Sequence, residues 1–223
     1  MQNTDKTVKI IAQDKNIVAC IKPRGLSSED NGKEPNTVSE LRRLCGCDGI
    51  RTLHRLDLGV GGVMIYAKNA RAAAEMSRII SQGGMKKEYL ALVHGIPERT
   101  EGELEDFLFK DSLRNKVFVT DRERKGVKRA KLFYKTLDVR SSEDGEFSLV
   151  HITLETGRTH QIRVQFSSRK HPVAGDRKYG ARDSFPYICL RSHKISFTSP
   201  FDKKPLIFED TFSPDSAFFS PHF

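Results

Sequence analysis

Residues 54–95 constrain the fold more than any other stretch. HRLDLGVGGVMIYAK (54–68) starts as a polar loop carrying three glycines and runs into the apolar segment GVMIYA (62–67). A short apolar run bounded by turn residues reads as a buried strand. Asn69 can then cap an alanine-rich helix with Ala73, Met76, Ile79 and Ile80 facing inward, and Gly83-Gly84 ends it. Residues 88–93 (EYLALV) alternate well enough to re-enter a sheet. Strand, helix and strand in that order require a sheet with a helix packed on one face.

The remaining segments add strands faster than helices. VKIIAQDKNIVACIKP (8–23) reads as two short strands around an Asp-Lys-Asn turn, followed by a polar loop, SSEDNGKEPN. Thr37 with Glu40 three residues on forms a capping box for a helix whose Val38, Leu41 and Leu44 share a face, and Gly46 closes it. Residues 102–137 read as strands and turns, FSLVHITL (147–154) as a strong strand, 159–168 as a short helix, and ICLRSHKISF (188–197) as a late strand. The tail beyond Pro200 is rich in Phe and Pro, with Phe218, Phe219 and Phe223 read as packed or frayed tail. The expected class is α+β, with a mixed, largely antiparallel central sheet and flanking helices and loops. No repeat or low-complexity segment breaks the chain, and 223 residues suit one domain, 1–223, built as two closely packed lobes with a cleft between them.

Charge narrows the partners. There are 38 Lys and Arg against 29 Asp and Glu, a formal charge of +9, which favours a polyanion and first of all nucleic acid. Residues 110–131 concentrate nine basic residues against three acidic ones, with Lys125, Lys128, Arg129 and Lys131 the candidate RNA contacts. Read alone, such a run is as well explained by a solvated hairpin. MQNTDKTVKI lacks the apolar centre of a signal peptide and no apolar run approaches a membrane span, so a cytoplasmic protein without a membrane partner is expected. Cys20, Cys45, Cys47 and Cys189 are too scattered for a disulfide framework, and Cys45-Gly46-Cys47 has no second ligand pair to complete a zinc site. No metal is expected.

Familiar cofactor signatures are missing: there is no Walker loop, no GxGxxG after a strand, no HExxH and no GxSxG. What remains is Asp57 with Arg55 beside it, Tyr89 in KKEYLALVHG, and Arg158 and Arg163 in LETGRTHQIRV. Converging, they would make a coherent set. A cation favours the ionised carboxylate, a phenol offers a stacking face to a flat base, and a guanidinium can stack or replace an extruded base. Each also has a plainer reading: Asp57 as a turn former, Tyr89 as a core tyrosine, Arg163 as half of a surface ion pair. The seven histidines show no metal-ligand spacing.

His54-Arg55-Leu56-Asp57 with its glycine loop, then 87–95 (KEYLALVHG), 156–163 (TGRTHQIR), 171–176 (HPVAGD) and Tyr179-Gly180 occur in the order and at the spacing of the RluA family of pseudouridine synthases, which the chain resembles from about Val8 to Asp210. The opening, with Asp14 and 21–26 (IKPRGL), is similar too. The resemblance implies a pseudouridine synthase fold and an enzyme that detaches uracil from its ribose at N1, turns it and rejoins it through C5, with no cofactor. It makes Asp57 the catalytic carboxylate, Tyr89 the tyrosine packed on the target base and Arg163 the basic partner of Asp57. Arg55 matches the arginine that enters the RNA stack when the uridine leaves, and His54, Arg158, His160, Gln161 and Ile162 are placed at the substrate. Asp57 would attack C1′ or C6, or assist loss of the base. Ribosomal or transfer RNA is the implied substrate, and a monomer lacking the S4-like module of many relatives is expected.

The chain departs from the family where Thr-Ser-Gly commonly follows the aspartate: here Val60-Gly61-Gly62 loses two hydroxyls. That departure keeps a catalytically silent RNA-binding protein as the alternative. A glycosidic hydrolase would require a second carboxylate, for which Glu88 and Glu155 are the motif-adjacent candidates, and leaves the basic excess unexplained.

Overall fold

A computed structural model describes residues 7–32 and 35–211. Its elements run β1 (Lys9–Gln13), β2 (Ile17–Lys22), α1 (Thr37–Cys45), β3 (Arg51–Thr52), β4 (Gly61–Ala67), α2 (Ala70–Ser81), β5 (Met85–His94), β6 (Glu101–Asp111) and β7 (Lys116–Thr120). They continue through β8 (Val127–Ser142), β9 (Gly145–Leu154), α3 (Gln161–Ser168), a single 3-10 turn at Arg177–Tyr179, β10 (Leu190–Thr198) and β11 (Pro205–Glu209). Strands dominate, as the α+β reading expects. The chain divides into two compact units, one running to Lys87 and resuming over Arg191–Thr211, the other spanning Glu88–Leu190.

In the first unit the turn expected at residues 14–16 forms because the Asp14 carboxylate accepts the backbone N–H groups of Asn16 and Ile17, each at 2.7 Å. It sets β1 antiparallel to β2, and β2 antiparallel to β4 in register from Ile17 opposite Ala67 to Lys22 opposite Gly62. β10 lies parallel to β4, making the sheet mixed, while β11 adds an antiparallel edge to β10. All seven residues of β4 are buried, which explains its unbroken apolar sequence. Val63 and Ile65 share a cluster with Ile17, Met76 of α2, Ile195 and Phe208. The Phe- and Pro-rich tail gives no sign of β11 in its sequence; residues 212–223, including the terminal phenylalanines, lie outside the described residues.

Both helices differ in detail from expectation. The α1 cap is Asn36, not Thr37: its side chain accepts the Ser39 N–H at 2.9 Å, and the Ser39 hydroxyl receives the Asn36 N–H at 3.1 Å. Two overlapping Ncap–N3 pairs fit this sequence, and Thr37 instead donates its hydroxyl to the Ser27 carbonyl at 2.7 Å. Thr37, Val38 and Leu41 define the buried stripe, which leaves Leu44 at its margin, 40% exposed. α2 is capped by Asn69 as read, but Ala72 joins Met76 on the fully buried stripe instead of Ala73.

The second unit orders its strands β5-β9-β8-β6-β7, with β6 antiparallel to β7 and β8, and β8 antiparallel to β9 across a bulge between Thr136 and Asp138. Leu108, Val117 and Ala130 on one face of the outer strands pack with Val164 of α3 and Tyr179. Leu90 and Leu92 of β5 pack with Phe147, Leu149 and Phe185. These faces fix the side chains of α3 and of residues 171–180 relative to the sheet.

Candidate active site

The Asp57 loop is held by its backbone on both sides of the carboxylate. Ser28 donates its hydroxyl to the Leu56 carbonyl at 3.1 Å, and Gly25 donates its N–H to the Leu58 carbonyl at 2.8 Å. Val60 N–H closes a turn onto the Asp57 carbonyl at 3.0 Å. The segment making these contacts is itself ordered by Lys22, which is fully buried and donates its ammonium to the carbonyls of Pro23 at 3.0 Å and Leu26 at 2.9 Å. Burial pulls the Lys22 ammonium from its ordinary 10.5 down to about 8; the negative charge of Asp57 opposes the drop, and Arg191 and Arg24 add to it. Asp57 is half-buried, and its charge reaches an internal cation that sequence reading passed over.

His54 sits beneath this loop. Its Nε2 accepts the Ile65 N–H of β4 at 3.1 Å, so the proton of a neutral ring belongs on Nδ1. Burial, and then the charge of Lys87, hold the imidazole well below 6.5 and therefore neutral. The structure thus uses His54, expected at the substrate, to tie the loop to the sheet. Arg55 is exposed and pairs with Glu29 at 3.1 Å.

Val60-Gly61-Gly62 has a packing reason. Gly62 has φ +119, and a Cβ there would lie 2.1 Å from the Ser192 carbonyl oxygen on β10. At Gly61 a Cβ would sit 3.0 Å from the Lys22 carbonyl oxygen and 3.2 Å from the Arg191 guanidinium, so neighbouring groups already fill the space a side chain would take. Arg191 is in turn fixed by Asp210 at 2.6 Å.

In the second unit Arg163 lies on α3 with its side chain 6% exposed and binds Asp176 through two hydrogen bonds, Nε to Oδ2 at 2.6 Å and Nη2 to Oδ1 at 2.9 Å. A forked guanidinium–carboxylate pair fixes orientation as well as distance. The plain reading of Arg163 as half of an ion pair is met, but in the interior, where the pair has structural weight. Tyr179 packs its ring 5.0 Å from the Arg163 guanidinium, and its hydroxyl receives the Val117 N–H at 2.9 Å and meets His160 Nδ1 at 2.8 Å. His160 adopts the left-handed conformation at φ +51, turning the chain into α3. Gln161 and Ile162 are buried; Gln161 accepts from the Thr156 hydroxyl at 2.8 Å and the Arg158 N–H at 3.0 Å and so shapes the loop before the helix. Tyr89 is buried in β5 at 6% exposure. Asp176 and Tyr179 stand inside recognised motifs, yet their sequence context assigns them no role.

The four basic candidates divide. Lys125 and Lys128 are exposed. Arg129 binds Glu105 at 2.5 Å and Glu155 at 3.4 Å, and Lys131 binds Glu103 at 3.0 Å and Glu105 at 3.8 Å. The candidate second carboxylates are also engaged, Glu155 by Arg129 and Glu88 by His151 at 2.9 Å. Among the described residues no three His, Cys, Asp or Glu side chains group as a metal site would require, and the four cysteines are free. No helix among them is long and apolar enough to cross a membrane.

Residues 16–168 match the family described as RNA pseudouridylate synthase. The chain belongs to this family. An RNA pseudouridine synthase of Aquifex aeolicus, named as uncharacterized, is 33% identical over 186 residues, covering 79% of this chain and 57% of the relative. The ribosomal large subunit pseudouridine synthase C of Rickettsia conorii is 29% identical over 180 residues, covering 80% and 58%. The chain thus spans somewhat under two thirds of the length of these family members. Among solved structures, human RNA Pseudouridylate Synthase Domain Containing 1 superimposes with a TM-score of 0.79 at 22% identity, covering 94% of this chain and 86% of that one. The pseudouridine synthase fold is therefore shared across the family at low identity.

Proposed function

We propose that the protein is an RNA pseudouridine synthase that isomerises specific uridines of ribosomal or transfer RNA, acting as a cytoplasmic monomer with a single catalytic domain, 1–223. The observation that carries this reading is the Asp57 loop: its backbone is pinned at Leu56 by Ser28 and at Leu58 by Gly25, in a segment ordered by the buried ammonium of Lys22. A loop backbone so held is pre-organised to present its carboxylate to a substrate.

The chemistry follows from these parts. Flipping the uridine costs a few kcal/mol, recovered by stacking and pocket contacts, for which Tyr89 supplies a ring and Arg55 an exposed guanidinium able to enter the vacated stack. Asp57 attacks C1′ or C6 or assists loss of the base; the N1–C1′ bond breaks, the uracil turns, and the C5–C1′ bond forms. C5 gives up its hydrogen as a proton and N1 ends protonated, so the step balances without a redox partner. Arg163, oriented by Asp176, is the catalytic cation. Arg158, His160, Gln161 and Ile162 shape the substrate wall, His54 supports the loop, and Lys125 and Lys128, with Arg129 and Lys131, line the RNA path.

Tritium release from RNA labelled at C5 of uridine tests the reading, with ribosomal and transfer RNA as separate pools. Release by the wild type and none by Asp57→Asn, with RNA affinity kept within a few fold because phosphate contacts dominate binding, is the expected result. Binding without release from either pool would favour a silent RNA-binding protein.

A further inference from the structure

The outer end of the β6–β7 hairpin carries a feature that the isomerase reading does not use. Phe109 and Phe118 are direct cross-strand partners. Their neighbours Leu108 and Val117 point into the cluster with Val164 and Tyr179, so by strand alternation the two rings face the opposite way. Phe118 is 36% exposed. Two cations lie near the rings: the Arg124 guanidinium 5.3 Å from the centre of Phe109, and the Lys116 ammonium 5.8 Å from that of Phe118 and 5.4 Å from that of Tyr179. Among the described residues neither forms an ion pair with a carboxylate, while Arg114 pairs with Asp111 and Arg122 with Asp121.

Further along the same face the balance reverses. Register places Lys131 opposite Glu105 and Phe133 opposite Glu103, and there Arg129 and Lys131 are held by Glu103, Glu105 and Glu155. That part of the face sets two cations against three carboxylates and so offers a polyanion less uncompensated positive charge than the hairpin end does. Among the described residues of this face, the hairpin end combines accessible rings with cations lacking carboxylate partners.

We propose that this end, centred on Phe109 and Phe118, is a stacking platform for unpaired nucleotides of an RNA strand, whose phosphates are taken by Lys116 and Arg124. Aromatic rings beside uncompensated cations suit bases and phosphates together, the combination that sequence-tolerant single-strand binders use. An apolar protein surface docking here would leave both charges unpaired. The inference rests on the RNA-modifying reading for the class of partner, and it extends RNA contact to strands that base pairing leaves open.

The test is fluorescence anisotropy of the full chain with a labelled single-stranded oligouridylate and, separately, a fully paired RNA hairpin, over a salt series. Phe118→Ala should weaken oligouridylate binding about tenfold, within the range measured for single base–aromatic stacks, and leave the salt slope unchanged. Phe118→Tyr should stay within about twofold because the ring is kept. Lys116→Gln with Arg124→Gln should flatten the slope by up to about two units, roughly one for each phosphate no longer neutralised. The paired hairpin should lose little in the Phe118→Ala variant. Oligouridylate affinity unchanged in a Phe118→Ala protein that melts like the wild type would overturn the proposal, as would equal losses for both RNAs. Conversion of a dimer to a monomer by Phe118→Ala, seen by sedimentation without an RNA effect, would reassign the face to a second copy of the chain. Because binding is read without turnover, absent tritium release would refute the isomerase reading and leave this one standing.

Discussion

Lys22→Met probes the buried cation behind Asp57 through the pH dependence of folding. In the folded protein burial brings the Lys22 ammonium down to about 8, against 10.5 for the ordinary side chain. Below pH 8 both folded and unfolded chains carry the proton, and the folded state bears the full cost of a buried charge. Between about pH 8 and 10.5 the unfolded chain binds more protons than the folded one, so stability contributed at this site rises with pH and is complete only above 10.5. Integrating over that window gives roughly 2–3 kcal/mol gained by the wild type relative to Lys22→Met between pH 7 and pH 10. The methionine stem fills the same channel but leaves the Pro23 and Leu26 carbonyls without their donor. That loss offsets the two stability curves by a constant and leaves their difference in slope intact. Urea unfolding of both proteins at half-unit pH steps reads the slope directly. A stability difference that stays flat from pH 7 to 10 would refute the assignment of a strained internal ammonium. Turnover adds a second reading: wild-type activity should decline above about pH 8 as the cation that the charge of Asp57 reaches loses its proton.

Gly62→Ala should destabilise the first unit by roughly 4 kcal/mol or more, because its Cβ would meet the Ser192 carbonyl oxygen at 2.1 Å from a backbone conformation that alanine avoids; thermal melting checks it. Asp176→Asn should cost a few kcal/mol by removing the carboxylate that the buried Arg163 fork binds, and should cut turnover more than RNA affinity; urea unfolding and tritium release measured together check both. Asn36→Ala should cost about 1 kcal/mol through loss of the α1 capping box, with turnover unchanged, as read from the same two assays.

Much of this arrangement is legible in the chain. β4 announces itself because a strand buried on both faces cannot alternate, and Asn69 sits where the helix needs its cap. The α1 cap slips by one residue because Asn36 with Ser39 and Thr37 with Glu40 have the same spacing, and only the Ser27 carbonyl decides between them. Lys22 escapes notice because a lysine is by default an exposed residue; two backbone carbonyls make its burial tolerable, and neither is visible before the 23–28 segment folds back. The Arg163–Asp176 pair spans thirteen positions and needs both the end of α3 and the following turn in place. The neutralised state of Arg129 and Lys131 depends on β6–β8 register, a long-range property that a basic run cannot announce.

The approach of Gly62 to Ser192 bears on how such a chain can diverge. What the contact specifies is the path of the main chain after Asp57, through space that only a hydrogen atom fits. Side chains at the two preceding positions decorate that path without creating it, and here Val60 and Gly61 dispense with hydroxyls while Arg191 and the Lys22 carbonyl occupy the volume beside Gly61. Substitutions can therefore accumulate at 60 and 61 whenever a neighbour changes size in compensation, whereas position 62 admits no such trade. The loop's trajectory is thus set by one hydrogen atom's worth of space at position 62, and the side chains before it are free to differ in chemistry.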